Sequence, residues 1–238
     1  MSGIDTHMTI AEIVVNRPDL MRVLEKIGID YCCGGKKTLE KACLEKGLDA
    51  TSIVLTLEAL GSAAPASADQ TDWAKASLTD LANHIENTHH KFCKEELPRL
   101  SRLVAKVAQV HGPHNPKLAD IQRAYEGVKD ELLQHLPKEE EILFPAIRNL
   151  EANPAQKPPF GSVAFPIQQM ELEHDSAGRL LEQIRELTED FAVPDYACNS
   201  YKAMLQGLED VERDTHQHIH KENNILFPRA IALEKQLG

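Results

Sequence analysis

The 238-residue chain carries a net charge of −11, and only 5% of its residues are aromatic. That acidity argues against a nucleic-acid groove or an anionic membrane surface, both of which reward Lys and Arg. No apolar run reaches the roughly 18–20 residues of a membrane span, and Met1-Ser-Gly-Ile-Asp5 lacks a signal peptide's charged and apolar regions. Five cysteines, an odd set without repeating spacing, speak against a disulfide framework, so a reducing cytoplasm is the expected setting.

Residues 1–60 predict a small helical domain. Pro18 can open a helix over 19–27 that Gly28 stops; a second runs over 38–46 to Gly47, and a third starts at Thr51. So short a segment builds a modest core and needs a neighbour, either the rest of the chain or a partner subunit in a homodimer. Between its first two helices stands Tyr31-Cys32-Cys33-Gly34-Gly35, followed by Lys36 and Lys37. The expectation is an exposed, locally positive turn, which would lower a thiol pKa and raise its reactivity toward metals and oxidants. Cys32 and Cys33 are thus candidates for redox or iron-transfer chemistry. The plainer alternative is a glycine-made turn with one buried and one idle cysteine. A disulfide between adjacent cysteines would strain the backbone.

Residues 61–75 read as a linker, because Gly61-Ser-Ala-Ala-Pro-Ala-Ser-Ala-Asp-Gln70 is small, polar and without apolar period. Residues 76–238 hold helical stretches near 77–110, 117–149, 164–190 and 196–235, broken at Gly112-Pro113, from Asn153 to Gly161, and at Val193-Pro194. Short connections favour antiparallel neighbours, so the fold class is all-α, an up-down four-helix bundle behind a small helical domain. Pro98 and Pro137 fall inside these stretches and should bend or interrupt them.

The bundle repeats itself. His135-Leu-Pro-Lys-Glu139-Glu-Glu-Ile-Leu-Phe-Pro145 returns as His218-Ile-His-Lys-Glu222-Asn-Asn-Ile-Leu-Phe-Pro228, and each copy is preceded at similar distance by a lone histidine, His90 or His174. Stepping by three and four, the seam of the second stretch runs through Leu132, His135, Glu139 and Ile142. That of the third includes Met170, His174 and Ala177, and that of the fourth Val211, Thr215, His218, Glu222 and Ile225. The ionisable residues therefore lie on the apolar faces that must meet inside a bundle. His135 with Glu139, and His218 with Glu222, sit one turn apart and can grip a common site.

A buried His–Glu hydrogen-bond network would also place such residues inside, but here it would bury six polar groups without help, at several kcal/mol each. A cation compensates directly. Imidazole and carboxylate donors without thiolate suit iron or manganese better than structural zinc. Two carboxylates can bridge two ions about 3.5–4 Å apart, with imidazoles at the ends and positions open to oxygen, nitric oxide or water.

Other histidines compete for the ligand roles. His84 and His89 share a helix with His90; aligning the halves puts His90 opposite His174, with His84 the main rival. His216 and His220 flank the His218 seam and are expected to face outward, and His7, His111 and His114 lie near ends or breaks. Cys43, Cys93 and Cys198 read as small core or surface residues. Glu131 and Glu173 could line an ion or proton path, or simply be solvated helix-face glutamates.

With Tyr31 to Gly35, Glu173-His174-Asp175 and both His-x3-Glu copies in hand, the sequence resembles the iron-sulfur cluster repair di-iron family, from about Thr9 to Ile231. The resemblance implies a hemerythrin-like bundle with a non-haem di-iron centre on His90, His135, Glu139, His174, His218 and Glu222. It also implies a stress-response role in the bacterial cytoplasm. There such proteins help restore clusters damaged by nitric oxide or peroxide, by supplying iron to apo or damaged Fe–S proteins. Unlike oxygen-carrying hemerythrins, the last motif here ends in Glu222, giving a symmetric four-His, two-Glu set. Cys93 stands where other members of the family can carry a further histidine. Two rival readings are a nitric-oxide or oxygen binding protein and a nitric-oxide or peroxide reducing enzyme. An iron donor or gas binder is preferred to a turnover enzyme, because the seam shows no obvious electron-transfer partner.

Overall fold

The computed structural model describes residues 3–61, 71–153 and 158–237. Residues 62–70 of the expected linker, and 154–157 of the expected break between the halves, lie outside them. Among the described residues there is no strand; one isolated bridge joins Thr9 to Thr38.

The N-terminal segment folds as α1 (Ile10–Asn16), α2 (Met21–Lys26), α3 (Leu39–Lys46) and α4 (Ala50–Gly61). The helix α1 has a signature the periodicity reading passed over: Thr9 and Glu12 form a reciprocal capping box. The helix expected over 19–27 instead begins as a 3-10 turn, Pro18–Leu20, before α2. Gly28 and Gly47 take φ values of 72° and 69°, a left-handed conformation that ends α2 and α3 with little cost for glycine. The small core of this segment includes Leu20, Leu24, Leu39 and Leu57, and it is joined by Ile219 from the bundle. The neighbour that so small a core needs is therefore its own bundle.

The bundle arms are α5 (Leu78–Ile85) continuing into α6 (Lys91–His111), α7 (Lys117–Lys138) into α8 (Phe144–Ala152), α9 (Ala164–Leu187), and α10 (Asn199–Lys221) into α11 (Phe227–Leu237). Helix α7 packs on α6 and α9, and α10 on α6 and α9, which closes the up-down ring. At the α6–α10 crossing Gly207 lets the helices approach closely, since a Cβ there would stand 2.8 Å from Leu100. The third arm ends sooner than the expected residue 190. Glu189, Asp190 and Phe191 all have positive φ, in a turn that follows Leu187 and buries the Phe191 ring.

Three arms carry one π-helical turn each: Glu86–His90, Glu139–Leu143 and Glu222–Leu226. The last two have a local cause. Pro145 and Pro228 lack the N–H for an ordinary helical bond and would clash with the carbonyl four residues back. The chain absorbs this one residue earlier, where Phe144 N–H reaches Glu139 O and Phe227 N–H reaches Glu222 O. Pro98 and Pro137 lie inside α6 and α7 without interrupting them.

Candidate metal centre

The four arms aim six polar side chains into the gap between two apolar clusters, one toward each end of the bundle. His90, His135, Glu139, His174, His218 and Glu222 are each at most 2% exposed. Their ligand atoms form two groups, His90–Glu139–His218–Glu222 and His135–Glu139–His174–Glu222, with the atoms of each within 4.8 Å of one another. Both carboxylates belong to both groups. In the first, His218 Nε2 lies 2.9 Å from Glu222 Oε1, and His90 Nε2 lies 3.4 Å from Glu139 Oε2. In the second, His135 Nε2 is 3.1 Å from Glu139 Oε2 and His174 Nε2 is 3.2 Å from Glu222 Oε2.

The imidazoles are also pressed together, His90 Nε2 to His218 Nε2 at 3.1 Å and His174 Nε2 to His135 Nε2 at 3.0 Å. Among the described residues, Glu139 Oε1, Glu139 Oε2 and Glu222 Oε2 are buried without a hydrogen bond. Orphaned carboxylate oxygens facing convergent imidazole nitrogens are what a cation site offers, and they would be costly if nothing ever bound there. The donor set therefore fits a pair of ions.

Charges within the cluster respond to this crowding. Burial and the Glu222 charge push the Glu139 carboxyl up, but the imidazoles around it outweigh them and hold it below its ordinary range. Burial works against protonation of His90 and His135, yet the two carboxylates raise them to about 10 and about 9. His218 goes down, chiefly through burial. Metal uptake must then displace protons from the first two imidazoles.

Partners behind the ligands aim three of the rings. His90 Nδ1 lies 2.8 Å from Glu140 Oε1, His135 Nδ1 2.9 Å from Glu173 Oε2, and His174 Nδ1 2.9 Å from Asn223 Oδ1. Each bond leaves Nε2 turned to the centre, the arrangement that orients metal-binding imidazoles. Phe144 stacks on His90 and Phe227 on His174, at centroid distances of 5.5 and 6.1 Å. The Ile-Leu-Phe-Pro tails thus wall the site. Glu140 and Asn223 were missed in the sequence, although a signal existed: they occupy the same place in the two repeat copies.

His84 is not part of the cluster. It stacks on Trp73 at 4.1 Å, and its Nε2 lies 2.7 Å from Lys221 Nζ. His89 is buried beside Asp214 and stacks on His218. Glu131 receives a 3.0 Å bond from Ser176 and keeps a buried, unbonded Oε2; Glu173 is also tied to Lys138 at 2.6 Å. The Glu173 carboxyl is held at about 2, where burial opposes and Lys138, Gln169 and His135 prevail.

Two expectations are overturned. His216 is half-buried and His220 is buried, and both meet Tyr31 edge-on, at 6.1 and 5.7 Å. His220 is only 4% exposed, because the N-terminal segment covers that side of α10, and burial drops it to about 3. The Tyr31 turn is not an exposed, positive loop either. Asp30 occupies its centre, accepting the backbone N–H groups of Cys32, Cys33 and Gly34 at 2.8, 3.0 and 2.7 Å. Lys36 and Lys37 point away to Glu171 and Glu45. Cys32 is buried and its thiol is raised well above the ordinary value by the hydrogen bond with Cys33, by burial and by Asp30. Cys33 is half-buried, and its Sγ donates to the His174 carbonyl at 3.4 Å. Gly35 serves the docking: a Cβ there would stand 2.5 Å from Asn224 Oδ1, and Asn224 Nδ2 donates to the Tyr31 carbonyl at 2.8 Å.

Comparison with known proteins agrees with both parts of this architecture. Residues 81–230 match the hemerythrin HHE cation binding domain, and residues 6–61 match a domain of unknown function, DUF542. The chain is 38% identical over 226 residues to the iron-sulfur cluster repair protein YtfE of Enterobacter sp. (strain 638), covering 94% of this chain and 97% of that one. A YtfE of Escherichia coli O81 (strain ED1a) is 38% identical over 228 residues, covering 94% and 97%. A probable iron-sulfur cluster repair protein of Haemophilus influenzae is 36% identical over 222 residues, covering 93% and 96%. With a buried His–Glu cluster in a four-arm bundle and near full-length similarity to these proteins, the chain belongs to the hemerythrin-like iron-sulfur cluster repair family.

Proposed function

We propose that this protein helps repair iron–sulfur clusters damaged by nitrosative or oxidative stress, by donating iron held in its bundle. The observation that carries the reading is the pair of ligand groups sharing Glu139 and Glu222, each completed by two imidazoles. In this reading His90 and His218 hold one iron, His135 and His174 hold the other, and both carboxylates bridge. Such iron would offer open positions to nitric oxide or oxygen and, as cargo, could leave the protein. The names of the similar proteins support the repair role.

The chain's own residues set the terms of release. Glu140, Glu173 and Asn223 hold three imidazoles in place, whereas Nδ1 of His218 is buried without a hydrogen bond among the described residues. Glu173 and Glu131, close to the ligand-bearing helices and only partly buried, offer carboxylates along a way out. The recipients would be apo or damaged Fe–S proteins in a reducing cytoplasm. No helix among the described residues is long and apolar enough to cross a membrane.

The test is to load the protein with iron and titrate it anaerobically, under reducing conditions, with an apo-ferredoxin. Two irons per chain that move into the acceptor support donation. Two irons that stay in place while nitric oxide binds would reject it in favour of gas sequestration.

A further inference from the structure

A second, smaller set of metal-ligating groups stands outside the bundle centre. Asp30, Cys32 and Cys33 place a carboxylate oxygen and two sulfurs within 4.8 Å of one another. Cys32 Sγ lies 3.1 Å from Asp30 Oδ1 and 3.7 Å from Cys33 Sγ. Two thiolates bound to one tetrahedral ion at about 2.3 Å each stand about 3.8 Å apart, close to the spacing already present. The backbone imposes that spacing: Asp30 holds three consecutive N–H groups of the turn, and Gly34 fits tightly against its carboxylate.

The set opens on a cleft of about 410 Å³ between the N-terminal segment and the bundle, lined also by Gly178, Arg179 and His216. On its other side it abuts the bundle centre through the contact of Cys33 Sγ with the His174 carbonyl. Gly178 lines the same side, where a Cβ would stand 3.4 Å from Cys33 Sγ, in ordinary contact with it. The arrangement thus has a ligand triad, an open side and a direct contact with the backbone of a residue whose side chain enters the bundle cluster.

We propose that Asp30, Cys32 and Cys33 form a second, mononuclear site for a thiophilic divalent cation, at which iron(II) leaving the bundle is held before an acceptor's ligands take it. The identity of the cargo rests on the donation reading; the site itself does not. Binding is acid–base chemistry without electron transfer. The cation replaces the protons of both thiols, which pass to solvent, and bonds to two sulfurs and one carboxylate oxygen. The thiol proton that Cys32 now directs at Asp30 Oδ1 marks one place it would take. Burial and neighbouring groups hold the Cys32 proton tightly, so binding strengthens with pH and remains weaker than at an all-thiolate site. Weak binding suits a site of passage. The fourth position faces the cleft and is left to water or to a thiolate of the acceptor.

The probe is cobalt(II), added anaerobically to the full-length, iron-loaded protein freed of unbound iron. One further metal per chain with a near-ultraviolet sulfur-to-cobalt charge-transfer band is expected. Cys33→Ser should remove most of that band, and Asp30→Asn, whose one amide oxygen can still accept the Cys32 and Cys33 N–H groups, should weaken binding about tenfold or more. Both variants should keep the iron content and helical circular dichroism of the parent. Saturating cobalt without a sulfur band would overturn the site, as would a band that survives the Cys32→Ser/Cys33→Ser double variant. Cobalt binding without iron transfer to apo-ferredoxin would count against donation alone. Iron transfer without cobalt binding would count against this site alone.

Discussion

The two copies of the ligand motif, 135–145 and 218–228, present the same ligands but different surroundings. In the first copy Glu140 is about a quarter exposed; it meets both His90 and the Lys94 ammonium. In the second, Asn223 is 7% exposed and meets His174, while Asn224 reaches the Tyr31 carbonyl of the docked N-terminal segment. Pro137 is exposed, whereas its counterpart His220 is covered. A carboxylate at 223 or 224 would lose its water without gaining a cation, so an amide does the hydrogen bonding there. One half of the site thus faces solvent through charged partners, and the other is roofed by residues 3–61.

The largest expected effect tests what the copies share. Because both carboxylates belong to both ligand groups, Glu139→Ala and Glu222→Ala should each strip the centre of most of its iron, and not of one ion alone. Metal analysis of each purified variant decides it; a variant that retains one firmly bound iron would break the shared-bridge picture.

The partners behind the ligands come next and should separate the halves. Glu140→Ala and Asn223→Ala should each weaken metal binding about 10–100-fold, the usual cost of losing such an orienting bond. Competition against a chelator measures this. Replacing Asn223 by Asp should be harmful under the roof, whereas Glu140→Gln at the open side should be milder.

Docking itself is tested at Gly35. Gly35→Ala forces a methyl against Asn224 and should cost about 1–3 kcal/mol in denaturant unfolding, the usual range for overpacking. In an Asn224→Ala background the same change should cost less, and equal costs in both backgrounds would remove Asn224 as the cause.

Acidity gives a smaller and directional effect. In the metal-free protein His90 and His135 are raised to about 10 and about 9. Groups raised on folding stabilise most below their unfolded value of about 6.5, and lose that contribution as pH climbs through the folded values. Metal-free protein should therefore lose stability from about pH 6.5 upward, and a pH series of unfolding midpoints would show it. Metal-loaded protein, its imidazoles already deprotonated, should lack that decline. The smallest effect belongs to the surface pair Lys36–Glu171 at 2.7 Å, whose loss in Lys36→Ala should cost no more than about 1 kcal/mol.

Much of this molecule was readable before its shape was known, for a specific reason. Helical period and an internal repeat are local properties, so the seam carrying His135, Glu139, His174, His218 and Glu222 follows from counting along the chain. Alignment of the halves favoured His90 and left His84 as its rival; the structure places His90 in the cluster and His84 against Trp73. Outward faces gave no comparable signal. His220 looks as solvent-exposed in sequence as any residue off the seam, and only docking of the N-terminal segment buries it.

The chain's sequence by itself determined most of the helices, their stops at Gly28 and Gly47, and five of the six polar seam residues, because each depends on neighbours within a turn or two. Tertiary structure alone decided which partners aim the imidazoles and that the Cys33 thiol lies against His174. Cys33 and His174 are far apart in sequence, and no local pattern encodes which surface another segment will cover.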